Sequence, residues 1–323
     1  MNLTESLKEK EQERCRYWER RDHFLEQRIQ WRSQMARHLF HLLPGESILD
    51  LGCGKGQWIQ SLSVANGHRN PICGATFDPE CFEALQQKNL PENIETALLE
   101  SLPGPLQNRQ FDYVVGWHML PGDNYAQFLL EVKKLLKPGG QFLLFEPNPW
   151  NPYYILRKTL SRLFLFFKKS KRKPAFNRIE MMSILSEIGF TGINILPYDF
   201  LFPPVPKFML WPVQNLSLIF ENMPYFRNFA GELYLWGKNP PPEGWVRPKV
   251  NLAYHSNLKG RISVVVPCHN EEANIVPLVQ SLKGYYGDYL HEIVLVDDNS
   301  RDRTAEVAGQ LGREDARVKL VKR

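Results

Sequence analysis

The stretch Ser47-Ile48-Leu49-Asp50-Leu51-Gly52-Cys53-Gly54-Lys55-Gly56 constrains the fold of this chain more than any other. A short apolar run ends in an acidic residue and gives way to glycine at every second position. The run reads as a buried strand. The glycines read as a loop whose backbone adopts positive φ and comes close to a bound nucleoside, because glycine carries no Cβ. The spacing, Asp-x-Gly-x-Gly-x-Gly, differs from the Gly-x-Gly-x-x-Gly of dinucleotide folds. A plain strand-to-helix turn is the bland alternative, and the rest of the chain decides between the two.

Strand candidates fall at 47–51, 71–77, 93–98, 112–117 and 140–145, with helical stretches such as 79–88 and 124–136 between them. Alternating β and α elements predict a parallel, doubly wound α/β sheet. Lys137-Pro138-Gly139-Gly140 is expected to stop the 124–136 helix and release the chain into the fifth strand. Asn177, with Glu180 three positions on, predicts a capped helix running to Ile188 and ending at Gly189. Further strands are expected near 192–197 and at 231–237. Ahead of the sheet, residues 5–43 read as helix, with Trp18, Phe24, Trp31, Met35 and Leu39 as apolar anchors. We expect a solvated cap on the next domain there, in preference to a partner-binding arm.

A chain of 323 residues has room for one large α/β domain and a smaller one. Pro240-Pro241-Pro242 and Pro248 mark 239–260 as an extended linker between domains at 44–238 and 261–323, with 1–43 as the helical cap. The five cysteines form no Cys-x-x-Cys pair and have no nearby His at ligand spacing. They read as reduced thiols of a cytosolic protein, so neither a zinc site nor a disulfide frame is expected. The polar N-terminus is no signal peptide. No stretch approaches the about 20 apolar residues of a membrane-spanning helix.

Residues 50–56 gain company further on. Phe111-Asp112-Tyr113-Val114-Val115, the run Leu135-Leu136-Lys137-Pro138-Gly139-Gly140 before Phe142-Leu143-Leu144, and the late Tyr234-Leu235-Trp236-Gly237 follow at familiar distances. Together they resemble class I S-adenosylmethionine-dependent methyltransferases over about residues 40–238. The resemblance implies a seven-stranded Rossmann-like sheet closed by a hairpin, with S-adenosylmethionine as cofactor. It implies cofactor contacts from Asp50, Leu51, Gly52, Cys53, Gly54, Gly56 and Trp117. Thr76 stands where the family carries the acid that grips the ribose hydroxyls; either Asp78, two positions on, substitutes from the turn, or the cofactor is held more weakly. On the adenine side Glu100 fits one register and Leu98 another. His118 and Glu146, just past the fourth strand and at the end of the fifth, suit a general base for a hydroxyl acceptor. The blander roles are a residue that shapes the pocket, for His118, and a hydrogen bond to the following Pro-rich turn, for Glu146.

Two inserts bear on the acceptor. Residues 151–177 contain no acidic residue, while Arg157, Lys158, Arg162 and the run 168–173 are basic and interleave with Leu156, Leu160, Leu163, Phe164 and Phe167. Residues 198–230 are aromatic, Pro-rich and nearly uncharged. One reading is a basic helix at 153–173 on an anionic bilayer beside a greasy lid. The other is two inserts that pack on the sheet as core and lid. No nucleic-acid partner is expected, because the Phe-rich face suits lipid better.

The last segment opens with Ile262-Ser263-Val264-Val265-Val266-Pro267-Cys268-His269-Asn270-Glu271-Glu272 and continues with Glu292-Ile293-Val294-Leu295-Val296-Asp297-Asp298-Asn299-Ser300. Over about 261–323 it resembles the start of family 2 glycosyltransferases, especially those like dolichyl- or polyprenyl-phosphate mannosyltransferases. The resemblance implies an incomplete nucleotide-sugar-binding α/β half-domain, with Pro267, Asn270, Glu271 and Asp298 around the base and ribose. His269 stands where Tyr is more usual. The Asp-x-Asp that holds the family's metal follows the next strand, and here Val318–Val321 runs straight to Arg323. The expectation is a truncated fusion without glycosyl transfer.

The leading expectation is therefore a cytoplasmic S-adenosylmethionine-dependent methyltransferase, or one peripheral at the inner face of a membrane. Its acceptor would be a glycan, a glycolipid or another lipid-linked molecule. The alternatives are a non-catalytic scaffold that tethers the glycosyltransferase, and a methyltransferase for a small hydrophobic molecule.

Overall fold

The computed structural model describes residues 2–21, 25–122, 124–152, 155–156, 177–200, 206–245 and 258–323. The chain separates into two compact units, Met1–Trp245 and Val246–Arg323.

In the first unit, β1 (Ile48–Leu51), β2 (Ile72–Thr76), β3 (Ile94–Leu98), β4 (Phe111–Trp117), β5 (Leu136–Pro147), β6 (Thr191–Tyr198) and β7 (Glu232–Lys238) form one sheet in the order β3-β2-β1-β4-β5-β7-β6. The first five strands are parallel, and β7 runs antiparallel to both β5 and β6. β1 and β2 are buried along their whole length, which is why they read as continuous apolar runs. Successive residues feed two cores: Val114, Phe142, Leu144 and Leu235 pack on one face, and Tyr113, Val115, Leu143 and Phe145 on the other. Helices α3 (Gln57–Ala65), α4 (Pro79–Gln86), α5 (Tyr125–Lys134) and α6 (Arg178–Glu187) connect the strands. The Asn177 side chain accepts a hydrogen bond from the Ile179 amide and caps α6.

Two expectations need correction. Residues 5–43 form two helices, α1 (Leu3–Arg21) and α2 (Leu25–Phe40), and not a solvated cap, because Leu3, Leu7, Glu11, Arg14, Arg28 and Arg32 are all buried. The side chains of Trp18 and Phe24 lie outside the described residues. The fifth strand begins at Leu136, earlier than the glycine pair. Phe111 pairs with Leu136, and the register then shifts before Tyr113 pairs with Gln141. Gly140 permits this irregularity, since a Cβ there would meet the Asp112 carbonyl oxygen at 3.0 Å. The basic stretch 157–176 and residues 201–205 lie outside the described residues. Of the second insert, α7 (Leu210–Asn222) is helical.

The second unit holds β8 (Ile262–Cys268), α8 (Glu272–Tyr286), β9 (Leu290–Asp297), α9 (Thr304–Glu314) and β10 (Val318–Lys322), with the parallel strand order β10-β9-β8. Val264 and Val266 pack toward the helices, while Ser263 and Val265 are exposed. Residues 239–245 stay with the first unit, where Asn239 exchanges backbone hydrogen bonds with Gly139 and Gly140.

Candidate active site

The carboxyl ends of β1, β2 and β4 meet at one edge of the sheet, where ligands of open parallel sheets bind. There Gly52, Gly54 and Gly56 all adopt left-handed backbone, with φ of +74°, +55° and +75°. The Gly52 and Cys53 amides donate to the Ala75 carbonyl and tie the loop to β2. A Cβ on Gly52 would meet Met119 Sδ at 2.4 Å, and one on Gly56 would meet Leu85 at 2.5 Å, so a side chain at either place would be strained by the backbone and would have to push a neighbour aside. Asp50 lies beneath the loop, fully enclosed. Burial pushes its carboxyl up to about 7 despite the opposing pull of Arg14. Asp50 Oδ1 and Trp58 Nε1 are buried without a hydrogen-bond partner among the described residues, and both residues line the cleft beside the loop.

Helix α1 lies across this edge. Glu11, 0% exposed, accepts from the Gly54 amide at 2.8 Å, the Phe77 amide at 2.7 Å and Thr76 Oγ1 at 2.9 Å. Arg14 donates to the Trp117 carbonyl at 2.8 Å and to the Gly52 carbonyl. Burial raises the Glu11 carboxyl, against the attraction of Arg14. Thr76 thus faces an acid, but one delivered from α1. Asp78, the expected substitute, is buried and accepts from Gln12 Nε2 at 3.3 Å. Glu100 is exposed.

A second group lies at the ends of β4, β5 and β7. His118 takes a left-handed backbone, φ +53°, and donates its amide to the Phe145 carbonyl at 2.7 Å. Its Nε2 lies 2.9 Å from Glu232 Oε1. Glu232 also pairs with Arg32, whose guanidinium stacks over the Trp117 ring at 3.4 Å. Arg28 and Arg32 both lie close to Asp199. Burial disfavours the Glu232 anion, but Arg32 and His118 overcome it and hold the carboxyl below its usual range. Glu146 accepts from the Leu120 amide at 2.7 Å, and among the described residues it makes no bond to the Pro-rich turn that follows it. Burial pushes its carboxyl up to about 7, against the pull of Lys10.

Glu11, Arg14, Arg28, Arg32, Asp199 and Glu232 escaped the sequence reading. Glu11 and Arg14, three apart, and Arg28 and Arg32, four apart, each share a helix face, yet so many charges crowd α1 and α2 that none stands out. Glu232 did carry a signal, as a lone charge opening the apolar run of β7.

In the second unit Pro267, Asn270, Glu271 and Asp298 are exposed at the carboxyl ends of β8 and β9. Asn270, φ +55°, accepts from the Arg301 amide at 2.9 Å, and the Glu271 amide donates to Thr304 Oγ1 at 2.8 Å. His269 Nδ1 lies 2.9 Å from the Asp298 carbonyl oxygen. No cluster of metal-ligating side chains exists among the described residues.

The glycine cradle and the unpartnered Asp50 Oδ1 fit the methionine end of S-adenosylmethionine, whose amino group would give that oxygen a donor. The free volume is another matter. With α1 in place the cleft offers about 40 Å³, enough for a few waters, whereas pockets for small ligands run to about 300 Å³ or more.

The family model described as Methyltransferase domain matches residues 48–140, and the one described as Glycosyl transferase family 2 matches residues 263–323. Demethylmenaquinone methyltransferase of Staphylococcus saprophyticus is 27% identical over 53% of this chain and 80% of its own length. The protein of the same name from Staphylococcus aureus is 27% identical over 53% of this chain and 78% of its own. A solved S-adenosylmethionine-dependent methyltransferase from Archaeoglobus fulgidus, 13% identical, covers 66% of this chain and 94% of itself with a TM-score of 0.45. The chain thus carries a methyltransferase domain over residues 48–140, set in a seven-stranded α/β sheet, and a family 2 glycosyl transferase domain over residues 263–323.

Proposed function

We propose that the first unit methylates a lipid-like or lipid-linked acceptor at a membrane surface. The observation that carries this reading is a set of large apolar side chains left exposed on the segments that follow β5 and precede β7. Phe208 and Trp211, at 79% and 76% exposure, and Tyr225, at 84%, project from α7 and its flanks. Trp150, Ile155 and Leu156 are exposed on the segment that follows β5, and Asn151 joins that segment to the α7 side through the Phe229 carbonyl. Large apolar side chains exposed in such number are the mark of an interaction surface. The neighbouring sequence 157–173 is strongly basic, which complements an anionic bilayer. The staphylococcal relatives carry the name of a lipid-like substrate, demethylmenaquinone. No helix among the described residues is long and apolar enough to cross a membrane, so the reading is one of surface contact.

Asp50, Gly52, Gly54, Thr76 and the Phe77 amide are the groups that would hold the cofactor. When bound, it supplies an electrophilic methyl on sulfur. His118 is the general base in this reading: Glu232 fixes the ring and would stabilise its charged form, and Glu146, protonated up to near neutral pH, lies close by. The covered cleft favours one second reading, a non-catalytic scaffold. Incubation of the full chain with radiolabelled S-adenosylmethionine and bacterial lipid extract separates the two. Enzyme action puts label in the organic phase and His118→Ala loses it at least tenfold; a scaffold gives none.

A further inference from the structure

The buried face of α1 runs through Leu3, Leu7, Glu11 and Arg14, the stripe of an amphipathic helix. Its apolar half is continuous with the sheet core through Leu3 and Leu7. Its polar half consists of a carboxylate and a guanidinium that end on backbone groups of the glycine loop and the tips of β2 and β4. Such groups, at the carboxyl edge of a parallel sheet, are the ones a nucleoside ligand needs. Glu11 supplies acceptors to the Gly54 and Phe77 amides. Arg14 supplies donors to the Gly52 and Trp117 carbonyls. Cys15 closes the remaining space, with its sulfur 2.8 Å from where a Gly54 Cβ would stand.

We propose that α1 is an internal competitor for the methyl-donor cleft, and that the cofactor enters only when Glu11, Arg14 and Cys15 withdraw from the glycine loop. This rests on the cofactor reading above. A site that is competent only in a minor open state binds its ligand more weakly by the fraction open. Removing the contacts that seat α1 therefore tightens binding, the reverse of what loss of a true ligand contact does.

The structure also provides a reporter of the seated helix. Cys15 on α1 and Cys81 on α4 have their sulfurs 3.9 Å apart. The contact with Cys81 and the charge of Arg14 bring the Cys15 thiol down to about 7, so its thiolate is available at neutral pH. Diamide takes two electrons and two protons from such a pair. One thiolate adds across the N=N bond, the other attacks that sulfur, and a hydrazine leaves as the disulfide forms. The bond pins α1 over the cleft.

The test uses the full chain and S-adenosylhomocysteine. In calorimetric titration Glu11→Ala is expected to bind at least tenfold more tightly than the wild type, and Arg14→Met more tightly as well. In wild-type protein, saturating S-adenosylhomocysteine is expected to slow diamide cross-linking of Cys15 to Cys81 at least tenfold, by mass spectrometry. The cross-linked protein is expected not to bind until reduced. Weaker binding by Glu11→Ala, or cross-linking at an unchanged rate with ligand bound, overturns the competitor. The cross-linking arm needs no variant, so a failure of Glu11→Ala to fold leaves the proposal testable. Absence of binding by wild type and both variants overturns the cofactor reading itself.

Discussion

Glu11 Oε1 lies 2.8 Å from the Gly54 amide, so a carboxylate from the first helix caps the central glycine of the loop. The contact sets the packing at that glycine. A Cβ on Gly54 would approach Cys15 Sγ to 2.8 Å and Arg14 to 3.2 Å, on top of the cost of a left-handed backbone. Gly67 has nearly the same φ, but only Arg69 Nε lies near, at 3.8 Å. Gly67→Ala should cost about 1 kcal/mol from conformation alone. Gly54→Ala should cost about 2–4 kcal/mol in denaturant unfolding, since steric crowding adds to it. Equal losses would show that α1 does not pack on the loop.

Arg32 and Glu232 form a buried pair. Arg32→Met leaves the Glu232 carboxylate enclosed with His118 as its neighbour and is expected to cost about 3–5 kcal/mol. Adding Glu232→Gln should recover part of that loss, because it removes the stranded charge. A double variant as unstable as the sum of the two singles would contradict a direct pair.

Glu146 gives a pH signature. Its carboxyl is raised from 4.5 to about 7 by burial, so the fold favours the protonated form. That contribution is fully present below about pH 4.5 and is lost as pH rises through 7. The stability of wild type relative to Glu146→Gln should therefore fall from pH 5 to pH 8, by at most about 1.4 kcal/mol per pH unit. Asp50 titrates in the same direction in both proteins and cancels in the difference. A flat difference would mean that Glu146 is ionised throughout.

The apolar surface predicts its own assay. Phe208→Ser, Trp211→Ser and Tyr225→Ser remove exposed side chains, so each should leave stability within about 0.5 kcal/mol. Together they should abolish co-sedimentation with vesicles rich in anionic lipid at low salt. Retention of the triple variant would assign vesicle binding to another part of the chain.

The sheet was legible in the sequence because its strands are short apolar runs cut by glycine, proline and acidic residues, as at 47–56 and 135–140. The glycine loop was legible for the same reason: three left-handed positions leave almost no choice but glycine. Glu11 and Glu232 were not legible as site residues. A carboxylate on a charge-rich helix, or at the first position of a strand, looks the same in sequence whether it meets a ligand, a histidine or a backbone amide. What separates these outcomes is the path of α1 and α2 across the sheet, and that path is set by packing of Leu3, Leu7 and Ile29 and not by any local motif.

A structure of the full chain with S-adenosylhomocysteine tests the account most directly. The account predicts the methionine end beside Asp50 and Gly52, the ribose on Thr76 and the Phe77 amide, the sulfur toward His118, and Glu11 withdrawn from Gly54. Ligand bound elsewhere while Glu11 still accepts from the Gly54 and Phe77 amides would contradict it.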